Sequence, residues 1–258
     1  MEKENVIYCD FGVMTSPVSD KNRTTKGRTA LKGLKKPELS SIVYSDFDGT
    51  VTKEDSVNKF LTLFADKEWL DVEEEWIRGE IGSRECLLRQ VNLVPELSMQ
   101  DLADYIDSIQ IDEGFIDFYK YVQSKNSELV IVSDGFDLFI KETLRKHNLK
   151  GIKYYANTLI FKDNRLSLEF NYGNPYCKNG SGVCKCSTTR IKDFCYIGDG
   201  LSDVCVAKKA GTLFAKKSLK KHCDEAKIDY YDYQTFEDVL AYFAKKGEIN
   251  AKLNYINN

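Results

Sequence analysis

The feature that most constrains this chain is an apolar run that stops at two carboxylates: Ile42-Val43-Tyr44-Ser45 leads straight into Asp46-Phe47-Asp48-Gly49-Thr50. A short run without polar alternation reads as a strand buried on both faces, as strands of parallel sheets are between helical layers. The same design returns twice. Leu129-Val130-Ile131-Val132 precedes Ser133-Asp134-Gly135, and Phe194-Cys195-Tyr196-Ile197 precedes Gly198-Asp199-Gly200 with Asp203 close behind. Any one cluster could be an ordinary turn or helix cap. Three at the ends of three apolar strands point to a ligand site, because open parallel sheets bind ligands outside the carboxyl ends of their strands, where loop N–H groups can face a phosphate.

The rest of the chain supports a strand-helix alternation. Phe115 to Gln123 and Phe136 to His147 read as helices on either side of the second strand, Thr212 to Ala215 as a further strand, Asp203 to Ala210 as a helix before it, and Phe236 to Phe243 as a terminal helix. Residues 153–172 alternate as a strand pair, with Lys162-Asp163-Asn164-Arg165 supplying the turn. Residues 55–110 differ: Val57, Phe60, Leu61 and Phe64, then Leu87, Val91 and Val94, recur at helical spacing with few strand formers between them. The expected architecture is therefore an α/β core of residues 41–52 and 111–246, a helical cap of 53–110 inserted after the first motif, and a tail of 247–258.

Composition excludes several classes of function. A formal net charge of −3 gives no electrostatic footprint for nucleic acid. No apolar run approaches the roughly 20 residues that span a bilayer, and the N-terminus lacks the order of a secretory signal, so a cytoplasmic protein with a small-molecule partner is expected and oligomeric state stays open. The eight cysteines read as mostly reduced thiols. Residues 1–40 read as a basic N-terminal arm, with Lys21, Arg23, Lys26, Arg28, Lys32, Lys35 and Lys36 crowded together. Within that arm, residues 6–15 echo residues 42–52 but lack the second aspartate.

On these motifs the chain resembles the haloacid dehalogenase (HAD) superfamily, over residues 42 to about 243, with Asp46-x-Asp48-x-Thr50, Ser133, a lysine and Gly198-Asp199-Gly200-x-x-Asp203 in the family's order. The cap placed directly after the first motif, the Val-Ile-Val-Ser-Asp-Gly segment and the Cys-Lys pair resemble the phosphoserine phosphatase type. The nearer likeness is to its 2-hydroxy-3-keto-5-methylthiopentenyl-1-phosphate and phosphocholine phosphatase branches. The resemblance implies a doubly wound Rossmannoid core and a Mg²⁺-dependent phosphatase acting on a small phosphorylated metabolite. It implies Asp46 as the nucleophile that becomes an aspartyl-phosphate, and Asp48 as the acid and base. It implies a metal held by Asp46, the Asp48 carbonyl and Asp199 with Asp203 in support, and phosphoryl contacts from Thr50, Ser133 and Lys185. These roles have a physical basis: hard oxygen ligands and a nearby cation are what an anionic nucleophile needs to approach phosphorus.

Lys185 follows Cys184 at a helix start, and the segment from Cys186 to Asp193 is short for a helix recrossing the sheet. Lys192 precedes the strand and belongs to the opposite sheet edge. Cys177, Cys184 and Cys186 lie close in sequence, but three thiols do not make the usual four-ligand zinc set. Asp55 has two readings: by resemblance it stands where phosphoserine phosphatases hold the substrate ammonium, and by local physics it is a carboxylate favoured near a helix N-terminus. Two functional alternatives stand beside the phosphatase, a non-catalytic phospholigand- or partner-binding protein of this fold and a phosphotransferase.

Overall fold

A computed structural model of the chain describes residues 39–189 and 192–244. The basic arm, apart from Leu39 and Ser40, and the C-terminal tail lie outside the described residues.

Seven strands form one sheet: β1 (Ile42–Ser45), β2 (Glu128–Phe136), β3 (Lys153–Lys162), β4 (Arg165–Glu169), β5 (Cys195–Gly198), β6 (Thr212–Ala215) and β7 (Tyr231–Asp232), in the order β4-β3-β2-β1-β5-β6-β7. All neighbours are parallel except the β3–β4 hairpin. β1 lies in the middle, with β2 on one side and β5 on the other. The chain builds outward from β1 through β2 and β3, then returns to build outward through β5 and β6, so the topological switch lies between β1 and β5.

The unbroken apolar character of β1 follows from this position. Val43 faces a core with Phe115, Phe118, Ile131, Phe139 and Phe236, while Ile42 and Tyr44 face a second core with Phe194, Val206, Leu213 and Leu219. Helices α5 (Phe115–Ser124), α6 (Asp137–Lys146) and α10 (Phe236–Phe243) contribute to the first core; α8 (Val204–Ala207) and α9 (Lys217–Ala226) contribute to the second.

Between Thr52 and Ile111, which pair as an antiparallel bridge, the chain forms α1 (Ser56–Phe64), α2 (Trp69–Ile77), α3 (Ser83–Asn92) and α4 (Met99–Ser108). Their inward residues, including Val57, Phe60, Leu61, Leu87 and Tyr105, join the first core, so this insertion packs onto the sheet layer through continuous apolar contact. Phe60 meets Tyr105 and Phe139 edge-on across that junction, and Tyr105 meets Phe139 at a tilt, with ring centroids 5.1–5.5 Å apart.

Local details depart from the sequence pattern in three places. β2 continues through Ser133-Asp134-Gly135 to Phe136, and its register against β3 slips between Val132 and Phe136. Such a bulge re-aims side chains at the end of a strand. Helix α7 (Lys185–Thr188) is a single turn. That suffices, because the four-residue β5 it must run back along is only about 13 Å long. Finally, α9 and β7 arise from residues 217–232, where only Leu219 and Cys223 are buried on the helix and the strand is two residues long.

Candidate active site

β1 ends at the switch point, where the Asp46 N–H donates to the Ile197 carbonyl of β5 at 2.9 Å. This bond aims the Asp46 side chain out of the strand ends, and Phe47 N–H donates to its Oδ1 at 2.8 Å. Lys185 reaches the same oxygen: its Nζ lies 2.9 Å from Asp46 Oδ1, 2.6 Å from Asp203 Oδ1 and 3.0 Å from Ser202 Oγ, with the side chain 1% exposed. The short segment after Lys185 therefore does not keep the lysine from the site, and Lys192 is exposed.

Asp203 is spent on holding others in place. Its Oδ1 accepts from Lys185 and from the Tyr196 hydroxyl, both at 2.6 Å, and its Oδ2 accepts from the N–H groups of Asp199 and Gly200, each at 3.0 Å. Asp199 Oδ1 accepts from the Thr50 hydroxyl at 3.1 Å and Oδ2 from Lys217 at 3.0 Å. Gly49 adopts φ +68°, and a Cβ there would come within 2.4 Å of Asp199 Oδ2, so both backbone conformation and space demand glycine.

Asp48 points the other way, toward the cap. Its Oδ2 accepts from Ser133 at 3.1 Å, and its Oδ1 accepts from the Ser56 hydroxyl and from Ser56 N–H at 3.2 Å. The Tyr105 hydroxyl donates to the Ser56 carbonyl, fixing the start of α1 over the site. At Gly135 a Cβ would lie 2.1 Å from Asp48 Oδ2, so the bulge of β2 can bring Ser133 against Asp48 only with glycine two residues on.

The charges are unevenly matched. Burial, then repulsion from Asp203, and further from Asp199 and Asp48, raises Asp46 well above the ordinary carboxylate range despite the opposing pull of Lys185. Burial also raises Asp48, while hydrogen bonds from Ser56 and Ser133 hold it back. For Lys185, burial disfavours the ammonium, but Asp203 and then Asp46 outweigh it and keep the group charged. Asp46, Asp199 and Asp203 each offer one oxygen, all within 4.8 Å of one another and all from buried residues. Among the described residues this is the group of three metal-competent side chains that close.

The sequence expectations meet this geometry unevenly. Asp46, Asp48, Ser133, Lys185, Asp199 and Asp203 converge. Thr50 lies beside them and donates its hydroxyl proton to Asp199 Oδ1, supporting that carboxylate. Asp55 caps α1, its Oδ1 accepting from Asn58 N–H at 2.8 Å. Burial, then the nearby Asp48, pushes its carboxyl up to about 8. Cys177, Cys184 and Cys186 are free thiols; Cys184 caps α7, and Cys177 lies 3.7 Å from Ser181 Oγ.

Ser56, Lys217 and Tyr196 were not read from sequence, nor was the buried Tyr233, whose hydroxyl donates to the Gly198 carbonyl at 3.3 Å. Lys217 follows β6 as Asp199 follows β5, so the rule that chemistry gathers at strand ends could have found it. Ser56 carried no signal beyond its place at the start of a cap helix.

The matches with known proteins agree with this arrangement. The model of the haloacid dehalogenase-like hydrolase family matches residues 43–208. The chain is 30% identical over 206 residues to the 2-hydroxy-3-keto-5-methylthiopentenyl-1-phosphate phosphatase of Brevibacillus brevis, covering 77% of this chain and 93% of that protein. It is 30% identical over 223 residues to the protein of the same name from Bacillus pumilus, covering 84% and 94%. Among solved structures, a phospho-aspartyl intermediate analogue of phosphoserine phosphatase superposes with a TM-score of 0.60 at 22% identity, covering 80% of this chain and all of that one; at this identity the likeness concerns the fold. Since the matched region runs from β1 through the cap to α8 and includes every carboxylate gathered around Lys185, the chain belongs to the haloacid dehalogenase-like hydrolase family.

Proposed function

We propose that the chain is a Mg²⁺-dependent phosphatase that hydrolyses a small phosphomonoester through a phosphorylated Asp46. The observation that carries this reading is the buried Lys185 ammonium 2.9 Å from Asp46, with Asp48 two residues on and turned toward Ser133. The curated relatives, named as phosphatases of a small phosphorylated metabolite, support the substrate class.

The residues fit a hard divalent cation. The three buried aspartates supply hard oxygen donors within 4.8 Å of one another. Asp46, the Asp48 carbonyl and Asp199 would hold the ion, with Asp203 positioning Lys185 and the β5 loop. When bound, Mg²⁺ supplies charge neutralisation that lets an anionic carboxylate approach a phosphoryl group.

In this mechanism a carboxylate oxygen of Asp46 attacks phosphorus while the bond to the leaving oxygen breaks, and Asp48 gives that oxygen its proton. Lys185 and Ser133 offset charge on the phosphoryl oxygens. Asp48, now a base, takes a proton from the water that attacks the phosphorylated Asp46, so that phosphate leaves and Asp46 is regenerated. Burial favours the protonated form that Asp48 needs in the first step. The cap, seated over Asp48 through Ser56, excludes water from the transfer. The non-catalytic alternative drew on the short segment after Lys185 and on the incomplete echo of the first motif in residues 1–15; against the first, the lysine reaches Asp46 all the same, and the second lies outside the described residues. We also assign a cytoplasmic setting, supported by the free thiols among the described residues.

The test is turnover of an aryl phosphate with Mg²⁺. Asp46→Asn abolishes it under this reading, and an undiminished rate in that variant overturns the mechanism.

A further inference from the structure

Asp134 lies between Ser133 and Gly135 in the β2 bulge, yet its side chain takes no part in the carboxylate cluster around Lys185. Its acceptors go to three separate elements. Oδ1 accepts from Val183 N–H at 2.7 Å and from Asn157 Nδ2 at 3.2 Å, and the Asp134 carbonyl accepts from the same amide at 2.6 Å. Oδ2 accepts from the hydroxyl of Ser83, the first residue of cap helix α3. Val183 stands two residues before Lys185. One half-buried carboxylate thus joins the cap, the β3 strand and the segment that carries the lysine.

The same joint is closed at a second point. Arg84 N–H donates to the Gly180 carbonyl at 3.1 Å. Gly82 packs so closely there that a Cβ would lie 2.5 Å from the Gly180 oxygen and 2.8 Å from that of Asn179. Gly182 is equally confined, since a Cβ would lie 2.8 Å from Asp134 Oδ1 and 2.7 Å from Asn157 Oδ1. Two glycines, one on the cap and one on the lysine-bearing segment, let these backbones approach Asp134 and each other. Packed surfaces of this kind have discrete arrangements and do not deform smoothly, so losing one contact loosens its neighbours.

We propose that Asp134 is a positioning residue for the reaction, tying the cap to the segment that carries Lys185, so that seating of Ser83 on Asp134 adds to the hold that Asp203 and Ser202 have on the lysine and sharpens its placement over Asp46. This rests on the phosphatase reading above for the role of Lys185. Closure of the cap then does two things in one motion: it covers the site and orders the group that offsets phosphoryl charge. An open cap leaves Lys185 less well placed, so that a phosphoryl group is attacked efficiently only when water is excluded.

The experiment pairs amide hydrogen exchange with kinetics on an aryl phosphate, for the wild type, Ser83→Ala, Ser83→Thr and Gly82→Ala, each with Asp134 intact. In Ser83→Ala, exchange at residues 179–185 accelerates together with that at 82–84, and kcat falls about 3- to 10-fold with KM nearly unchanged. Ser83→Thr, which keeps the hydroxyl, restores both. Gly82→Ala opens the joint from its other contact and gives the same paired signature. Acceleration confined to residues 82–84, or a wild-type kcat in both alanine variants, overturns the proposal. A wild type without turnover defeats the phosphatase reading instead, while the exchange arm still decides whether Asp134 couples the two segments.

Discussion

Asp55 does useful backbone work in a place where its charge is unwelcome. Its carboxylate satisfies a free N–H at the start of α1, but burial first and Asp48 second raise its pKa to about 8. A carboxyl whose folded pKa lies above its unfolded value binds more protons folded than unfolded between the two. Stability therefore falls as pH rises, from about 4, where the unfolded carboxyl titrates, to about 8. Asp55→Asn keeps an acceptor of equal quality at the N-cap and carries no charge. In EDTA, its urea midpoint should match the wild type near pH 4 and exceed it by a margin that widens up to pH 8; a constant margin would show that Asp55 does not titrate as described. At this scale Asp46, its neighbour Asp48, Ser133 and the β5 carboxylates were legible, because each sits at or just beyond the end of an apolar run; Lys185, at the start of a short helix, was indicated by the family resemblance alone. The bonds of Thr50 to Asp199 and of Ser56 to Asp48 were not legible for one shared reason: where a hydroxyl proton goes depends on partners that other parts of the chain bring.

Elements were legible where periodicity and turn chemistry coincide. The β3–β4 hairpin turns at Asp163 and Asn164, both at positive φ, between the paired Lys162 and Arg165; this is the backbone that a two-residue hairpin requires and that Asn and Asp tolerate. Helix α9 was not legible, since Lys217, Lys220 and Lys221 hide two buried positions, Leu219 and Cys223. Two of the cap helices, α1 and α4, gain their starts from side chains, Asp55 and Ser98. Ser98 Oγ accepts from Asp101 N–H at 3.0 Å at the head of α4. Ser98→Ala should cost about 1 kcal/mol. Because α4 contributes Leu102, Tyr105 and Ile106 to the same core as the sheet, the loss should move the single global urea transition. A separate early transition for the cap, or an unmoved midpoint, would contradict this.

For the whole molecule, the consequence of concentrating buried carboxylates around one lysine is that a bound cation should stabilise the fold as well as serve the chemistry. At a hundredfold excess over its dissociation constant, a ligand specific to the native state contributes about 2.7 kcal/mol. In a domain of this size that corresponds to a rise in Tm of about 5–10 °C. Addition of Mg²⁺ should raise Tm in the wild type and much less in Asp199→Asn; equal shifts in both would remove Asp199 from the ion. By itself, the sequence determined the parallel sheet, the inserted helices and the three acidic strand ends, because burial on two faces leaves a local pattern that can be read without neighbours. Only the tertiary structure decided that Lys185 reaches Asp46 and Asp203, that Thr50 serves Asp199, and that Asp134 turns toward the cap. Those partners lie from 18 to 149 residues apart, and no local pattern records which distant backbone will arrive beside a given oxygen.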